Sequence, residues 1–468
     1  MRRFITIISP VIAALITVAG LAGTARATTA DRVTDYYGQR LAWSGCGSGY
    51  ECAKLKVPLD YSKPGGKQIK ISMVRLRATG KKIGSIVLNF GGPGMSGVDS
   101  LKASKEIVSA SIRQRFDVVS FDPRGVGGSS PVRCLGTLGL DALFATDPTP
   151  DTRAEVKLAR QWNKTFAKAC EANAGTELLA HVGTGETARD MDVMRAALGE
   201  RRLTYLGWSY GTYLGARYAD LFPARIRAMV LDGAENPSQT GAEFVQSQAL
   251  GFRVAQESFL RDCFKAKDCP FKKHTVGAAL KKLEALYKRA DRAPLRNGYD
   301  GRQVSEAVVR TGVMSALYST SSWPSLRLAL TTAFKGDGAY LLQLADGYNG
   351  RRPDGSYANQ YEALTAISCV DHPESRCPYW PVKGKRFTRK VHAKGSPPIV
   401  VVGTTRDPAT PYKLAQALAA QLDKGVLLTN DADGHTAYRG GSSCLERQID
   451  RYLITARAPK PGACAAKT

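Results

Sequence analysis

The chain has 468 residues, a formal charge of +25, and is 43% hydrophobic and 23% charged. That composition excludes a disordered or fibrous protein and supplies apolar mass for a sizeable core, in two or three domains or in one large domain with an insertion. The basic residues are dispersed and no recognition motif accompanies them, which speaks for solubility or loose attraction to anionic surfaces and against nucleic-acid binding.

Residues 1–27 read as an export signal. Arg2 and Arg3 form a basic start, an apolar stretch runs from Phe4 to Ala22, and Ala25-Arg26-Ala27 is a small-x-small cleavage pattern. The competing reading is a membrane anchor, since the stretch is nearly long enough to span. Gly, Thr and Pro interrupt it, no later segment suits a second span, and no Cys follows to carry a lipid. The expectation is a secreted, extracellular protein with no stable membrane insertion after cleavage. All ten cysteines lie beyond the signal, where disulfides are expected. They fall into near-neighbour pairs: Cys46 with Cys52, Cys134 with Cys170, Cys263 with Cys269, Cys369 with Cys377, and Cys444 with Cys464. Sequence alone does not fix that connectivity. No C-x-x-C with a companion His suggests zinc, so no metal is expected.

Residues 31–77 read as a β-rich lead-in, with strand alternation over 54–60 and 69–75 around a Pro-Gly-Gly turn. Buried strands follow at 85–90 and 116–121, a helix at 186–198, a strand at 203–206 running into a helix at 210–221, and a strand at 226–231. Alternation of this kind implies a mainly parallel sheet with helices on both faces. Residues 28–236 are assigned to the first part of this core. From Pro237 the chain is mostly helical, as an inserted lid would be, and residues 237–368 are assigned to it. Core elements return over residues 369–468: a strand at 398–403, a helix at 412–422, a strand at 426–429 and a terminal helix at 445–454.

The decisive motif is Gly207-Trp-Ser-Tyr-Gly211, a G-x-S-x-G between a strand and a helix. That context marks a nucleophile elbow, a turn so tight that flanking side chains would collide with the adjoining strand and helix. Ser209 is the candidate nucleophile. Of five histidines, His435 follows the last expected strand, where the general base belongs. His181 precedes the serine, His274 sits among lysines, and His372 and His392 lie outside strand ends. Asp407, after the 398–403 strand, is the preferred acid; Asp232, at the end of the preceding strand, is its rival. Asp431 and Asp433 are too close to His435 along the chain. The oxyanion donors should be the amides of Tyr210 and of Gly92, the latter in Asn89-Phe-Gly-Gly-Pro-Gly94. This chemistry requires no cofactor, and no nucleotide-binding fingerprint is present.

Gly91-Gly-Pro-Gly94, the run from Asp122 to Ser129 and the Ser209 motif together resemble the proline-iminopeptidase-like branch of the α/β-hydrolase fold. The segment from Cys369 to Cys464 is similar to the C-terminal part of secreted streptomycete tripeptidyl aminopeptidases. The resemblance implies a Ser209-Asp407-His435 triad, oxyanion donors Gly92 and Tyr210, a helical cap, and peptide substrates with a free N-terminus. Many relatives carry His where this chain has Phe90. An α-amino group needs a carboxylate near the cleft, and Glu235 and Asp371 are the candidates. The reading is a serine exopeptidase releasing short peptides, with tripeptides foremost. The alternatives are a secreted carboxylesterase with the same triad and, in another class, a non-catalytic binding protein on a hydrolase scaffold.

Overall fold

The computed structural model describes residues 32–374, 377–384, 387 and 389–465; the expected signal over residues 1–27 lies outside them. Ten strands form one sheet: β1 Ser44–Gly45, β2 Glu51–Pro58, β3 Gln68–Leu76, β4 Gly84–Asn89, β5 Phe116–Phe121, β6 Leu203–Trp208, β7 Ile226–Asp232, β8 Ile399–Arg406, β9 Gly425–Asp433 and β10 Gly462–Ala465. Their order is β1-β2-β3-β5-β4-β6-β7-β8-β9-β10. The lead-in strands β1 to β3 pair antiparallel, as does β3 with β5; every pair from β5 to β10 is parallel. This is the α/β-hydrolase fold.

The parallel strands are apolar on both faces because helices cover both. Val87, Val119, Tyr205, Met229 and Val401 join the core on one side. Their neighbours Ile86, Val118, Leu206, Val230 and Val400 join the core on the other. Each such side chain contributes about 1.5–3 kcal/mol on leaving water. The helices that bear on the site are α1 Thr184–Ala197, α2 Tyr210–Leu221, α3 Gly241–Cys263, α4 Glu306–Leu317, α5 Gln360–Asp371, α6 Tyr412–Gln421 and α7 Ser443–Thr455.

Between β7 and β8 the chain is helical. Thr240 opens α3 with a capping box, its hydroxyl accepting from Glu243 N and the Glu243 carboxylate accepting from Thr240 N. With α4 and helices Val276–Arg292, Trp323–Phe334 and Ala339–Asn349, α3 builds a separate apolar cluster around Phe259, Leu283, Leu326, Leu330 and Leu341. α5 does not share it: Ala363, Ala366 and Ile367 pack into the main core. The ten cysteines form the five near-neighbour disulfides expected from their spacing. No helix among the described residues is long and apolar enough to cross a membrane.

Candidate active site

Ser209 stands between β6 and α2 with φ +55° and ψ −126°, a left-handed backbone that costs on the order of 1–3 kcal/mol for a non-glycine residue. Contacts on both sides hold it there. Its N–H donates to the Asp232 carbonyl at 2.9 Å, and its carbonyl accepts from the Thr212 hydroxyl at 2.6 Å. A Cβ at Gly207 would lie 2.5 Å from the Gly211 carbonyl, and one at Gly91 would lie 3.0 Å from Ser209 Cβ and 3.2 Å from Tyr210 N. The loop after β4 is thereby pressed against the turn. Gly92 follows Gly91 in that loop, and Tyr210 N opens α2, where an amide has no partner within the helix. Phe90 stacks on Trp208, ring centres 5.2 Å apart.

His435 lies beyond β9. Its Nδ1 is 2.9 Å from each carboxylate oxygen of Asp407. Asp407, buried at 2% exposure, also accepts from Ala409 N, Thr410 N, the Thr410 hydroxyl and Thr436 N. The Thr410 hydroxyl is in addition 3.3 Å from His435 Nδ1. Burial pulls the imidazole pKa down, but the Asp407 carboxylate outweighs this and the net shift is upward from 6.5. His435 Nε2 is buried and makes no hydrogen bond among the described residues.

Asp232 is not beside the Nδ1 of His435. Its carboxylate accepts from the backbone N–H groups of Ala437 and Tyr438. Asp431 and Asp433 pair with Arg406. His181 is 3.9 Å from Asp60, His274 stacks on Phe264, His372 packs near Tyr213, and His392 is 3.5 Å from Asp423.

Glu235 and Asp371 both face this region. The Asp371 carboxylate is engaged, accepting from Thr184 N at 3.0 Å and from the Thr184 hydroxyl at 2.5 Å; that hydroxyl also contacts the Tyr210 phenol. Among the described residues nothing donates a hydrogen bond to the Glu235 carboxylate, while its N–H donates to the Thr212 hydroxyl. Burial raises both carboxyls to about 7, against an opposing pull from His435 on Glu235 and from the Thr184 hydrogen bonds on Asp371.

Tyr318, directly after α4, is a site neighbour that the sequence did not suggest. His435 N–H donates to its carbonyl at 2.8 Å, and its ring meets the imidazole edge-on at 5.4 Å. No motif surrounds Tyr318. Thr410 could have been found, since a hydroxyl three residues after a buried Asp commonly closes a local turn.

A serine on a strained strand-to-helix turn, on a sheet that also presents a His–Asp pair, defines a serine hydrolase of the α/β-hydrolase class. Residues 367–464 match the family model described as TAP-like protein. The chain is 37% identical to serine protease Hip1 of Mycobacterium tuberculosis, over 91% of each chain. It is 36% identical to carboxylesterase B of that organism, over 87% of this chain and 85% of the relative. It is 32% identical to the tripeptidyl aminopeptidase of Streptomyces lividans, over 89% and 84%. The protein belongs to the tripeptidyl-aminopeptidase-like family of serine hydrolases.

Proposed function

We propose that this protein is a secreted serine exopeptidase that releases short peptides, tripeptides foremost, from free N-termini. In this reading Ser209 Oγ attacks the scissile carbonyl while His435 Nε2 takes its proton. Asp407 orients the imidazole and stabilises the imidazolium. The developing oxyanion is received by the amides of Gly92 and Tyr210, with the α2 dipole behind them. His435 then protonates the leaving amine, and water, deprotonated by the same nitrogen, frees the acyl-enzyme. The inserted helices from α3 to Ala339–Asn349 serve as a lid, and no cofactor enters.

The observation that carries the reading is the unspent carboxylate of Glu235 beside the His435–Asp407 pair. A half-buried carboxylate without hydrogen bonds is costly, and a substrate ammonium would supply the missing partner. Asp371 already has donors, so Glu235 is the stronger of the two candidates for the α-amino group. Export is supported by the five disulfides. The carboxylesterase reading is favoured by one observation, the relative that carries that name.

An unblocked tripeptide anilide, its N-acetylated form and a simple nitrophenyl ester, assayed side by side, separate the readings. Strong preference for the unblocked amide is expected, with activity and fluorophosphonate labelling both lost in Ser209→Ala. Equal turnover of the ester and indifference to blocking would establish the esterase instead. Absence of labelling in the wild type would leave a binding protein on a hydrolase scaffold.

A further inference from the structure

Asp232 ends β7 at 0% exposure, and three parts of the site meet on it. Its carbonyl accepts the Ser209 N–H at 2.9 Å, and the next residue, Gly233, donates its N–H to Val402 of β8, the strand that leads to Asp407. Its carboxylate accepts from Ala437 N at 3.0 Å and from Tyr438 N at 2.8 Å. A Cβ at Gly233 would stand 3.1 Å from His435 Cε1, so the imidazole lies against this strand end. The loop needs holding. Thr436, a β-branched residue, sits at φ +67°, where such a residue rarely rests unless its surroundings enforce it. Two successive amides fixed on one carboxylate set the peptide planes after Thr436, and Asp407 fixes the plane before it through Thr436 N.

From this convergence we infer that Asp232 is a positioning residue for the reaction, locking the nucleophile turn and the histidine loop to one strand end. The inference rests on the proposed roles of Ser209 and His435. A neutral acceptor would satisfy the same amides. The carboxylate adds charge, and that charge acts on His435: Asp407 from the β8–α6 connection, Asp232 from β7 and Glu235 just after β7 all favour its protonated form. Tyr318 of the insertion is a further titratable neighbour among the described residues and is held neutral by burial. Asp232 in turn faces His435 and Asp407.

Asp232→Asn separates charge from shape. An amide oxygen in place of Oδ2 still accepts from Ala437 N and Tyr438 N, whereas the negative charge is gone. With the unblocked tripeptide anilide and the full chain, Asp232→Asn should move the acid limb of kcat/KM about half a unit toward lower pH. Asp232→Ala, which releases the loop, should lower kcat and the fluorophosphonate labelling rate roughly tenfold to a hundredfold, with KM changed less. If Asp232→Ala does not fold, Asp232→Ser, too short to hold both amides, takes its place. Wild-type kcat and labelling rate in the Ala or Ser variant overturn the inference, as does a loss confined to KM. A wild-type protein that neither cleaves nor labels overturns the hydrolase reading itself, before any variant is made.

Discussion

Five donors converge on Asp407: His435 Nδ1, Thr436 N, Ala409 N, Thr410 N and the Thr410 hydroxyl. A carboxylate accepts at both oxygens, which a neutral amide cannot do. Asp407→Asn therefore sets an amide N–H against a donor and frees the wrong imidazole tautomer, and kcat should fall at least ~10³-fold. The pH consequence has a definite sign. In the proposed mechanism His435 must be neutral to accept a proton, and Asp407 raises its pKa, so wild-type activity should be lost as pH falls through that raised value. Losing the carboxylate moves the acid limb to lower pH while the plateau drops; a limb that stays put would count against the pairing. Glu235 titrates near 7 and must be ionised to hold an ammonium. KM for unblocked peptides should accordingly improve from pH 6 to 8, up to the titration of the α-amino group itself near 8. Glu235→Gln should remove that trend and raise KM about tenfold, leaving N-acetylated peptides unaffected; equal effects on both substrates would exclude an amino-group role.

The elements that position these residues were unequally readable from the sequence. The Ser209 turn was legible because its steric demand for glycines leaves a motif, and the parallel strands because burial on both faces makes continuous apolar runs. β10 was not: Gly462–Ala465 is four residues long and contains no β-branched or aromatic side chain, and its pairing with β9 is a tertiary fact. The assignment of residues 237–368 to a lid rested on helical spacing, which looks the same whichever core a helix enters; α5 turns its Ala363 and Ile367 into the main one. Nor could the sequence reveal that the insertion touches the site at two places. A Cβ on Gly251 of α3 would lie 2.4 Å from the Pro408 carbonyl and 3.0 Å from that of Asp407, and the Tyr318 carbonyl holds His435 N. Gly251→Ala should push α3 off the acid loop at a cost of about 1–3 kcal/mol. Tyr318→Ala should remove the imidazole's edge contact and slow kcat several-fold. Thermal melts and steady-state kinetics check both. If neither variant changed kcat, the insertion would be a passive cover.

At the scale of the whole molecule, two sets of carboxylates oppose one another across the pH range. Glu51, held between Arg75 and Arg77, is lowered to about 2. A lowered carboxyl contributes stability above its unfolded pKa and loses it as pH falls through the folded one. Asp232, Glu235 and Asp371 are raised by burial to about 6, 7 and 7. In these the folded state binds the extra proton, so their contribution is present below about 4 and declines as pH rises through 7. At 1.36 kcal/mol per unit, the Asp371 shift alone is worth about 4 kcal/mol. The formal charge of +25 works against acid stability through self-repulsion, a term that salt screens. At moderate ionic strength Tm should peak near pH 5 and fall toward pH 8, opposite to a protein whose carboxylates are all ion-paired. Glu235→Gln and Asp371→Asn should each flatten that fall. A saturating unblocked peptide should flatten it too in the Ser209→Ala protein, because an ammonium against Glu235 favours the ionised form that burial penalises. A Tm rising steadily from pH 5 to 8 would mean that these carboxyls are already ionised in the empty cleft.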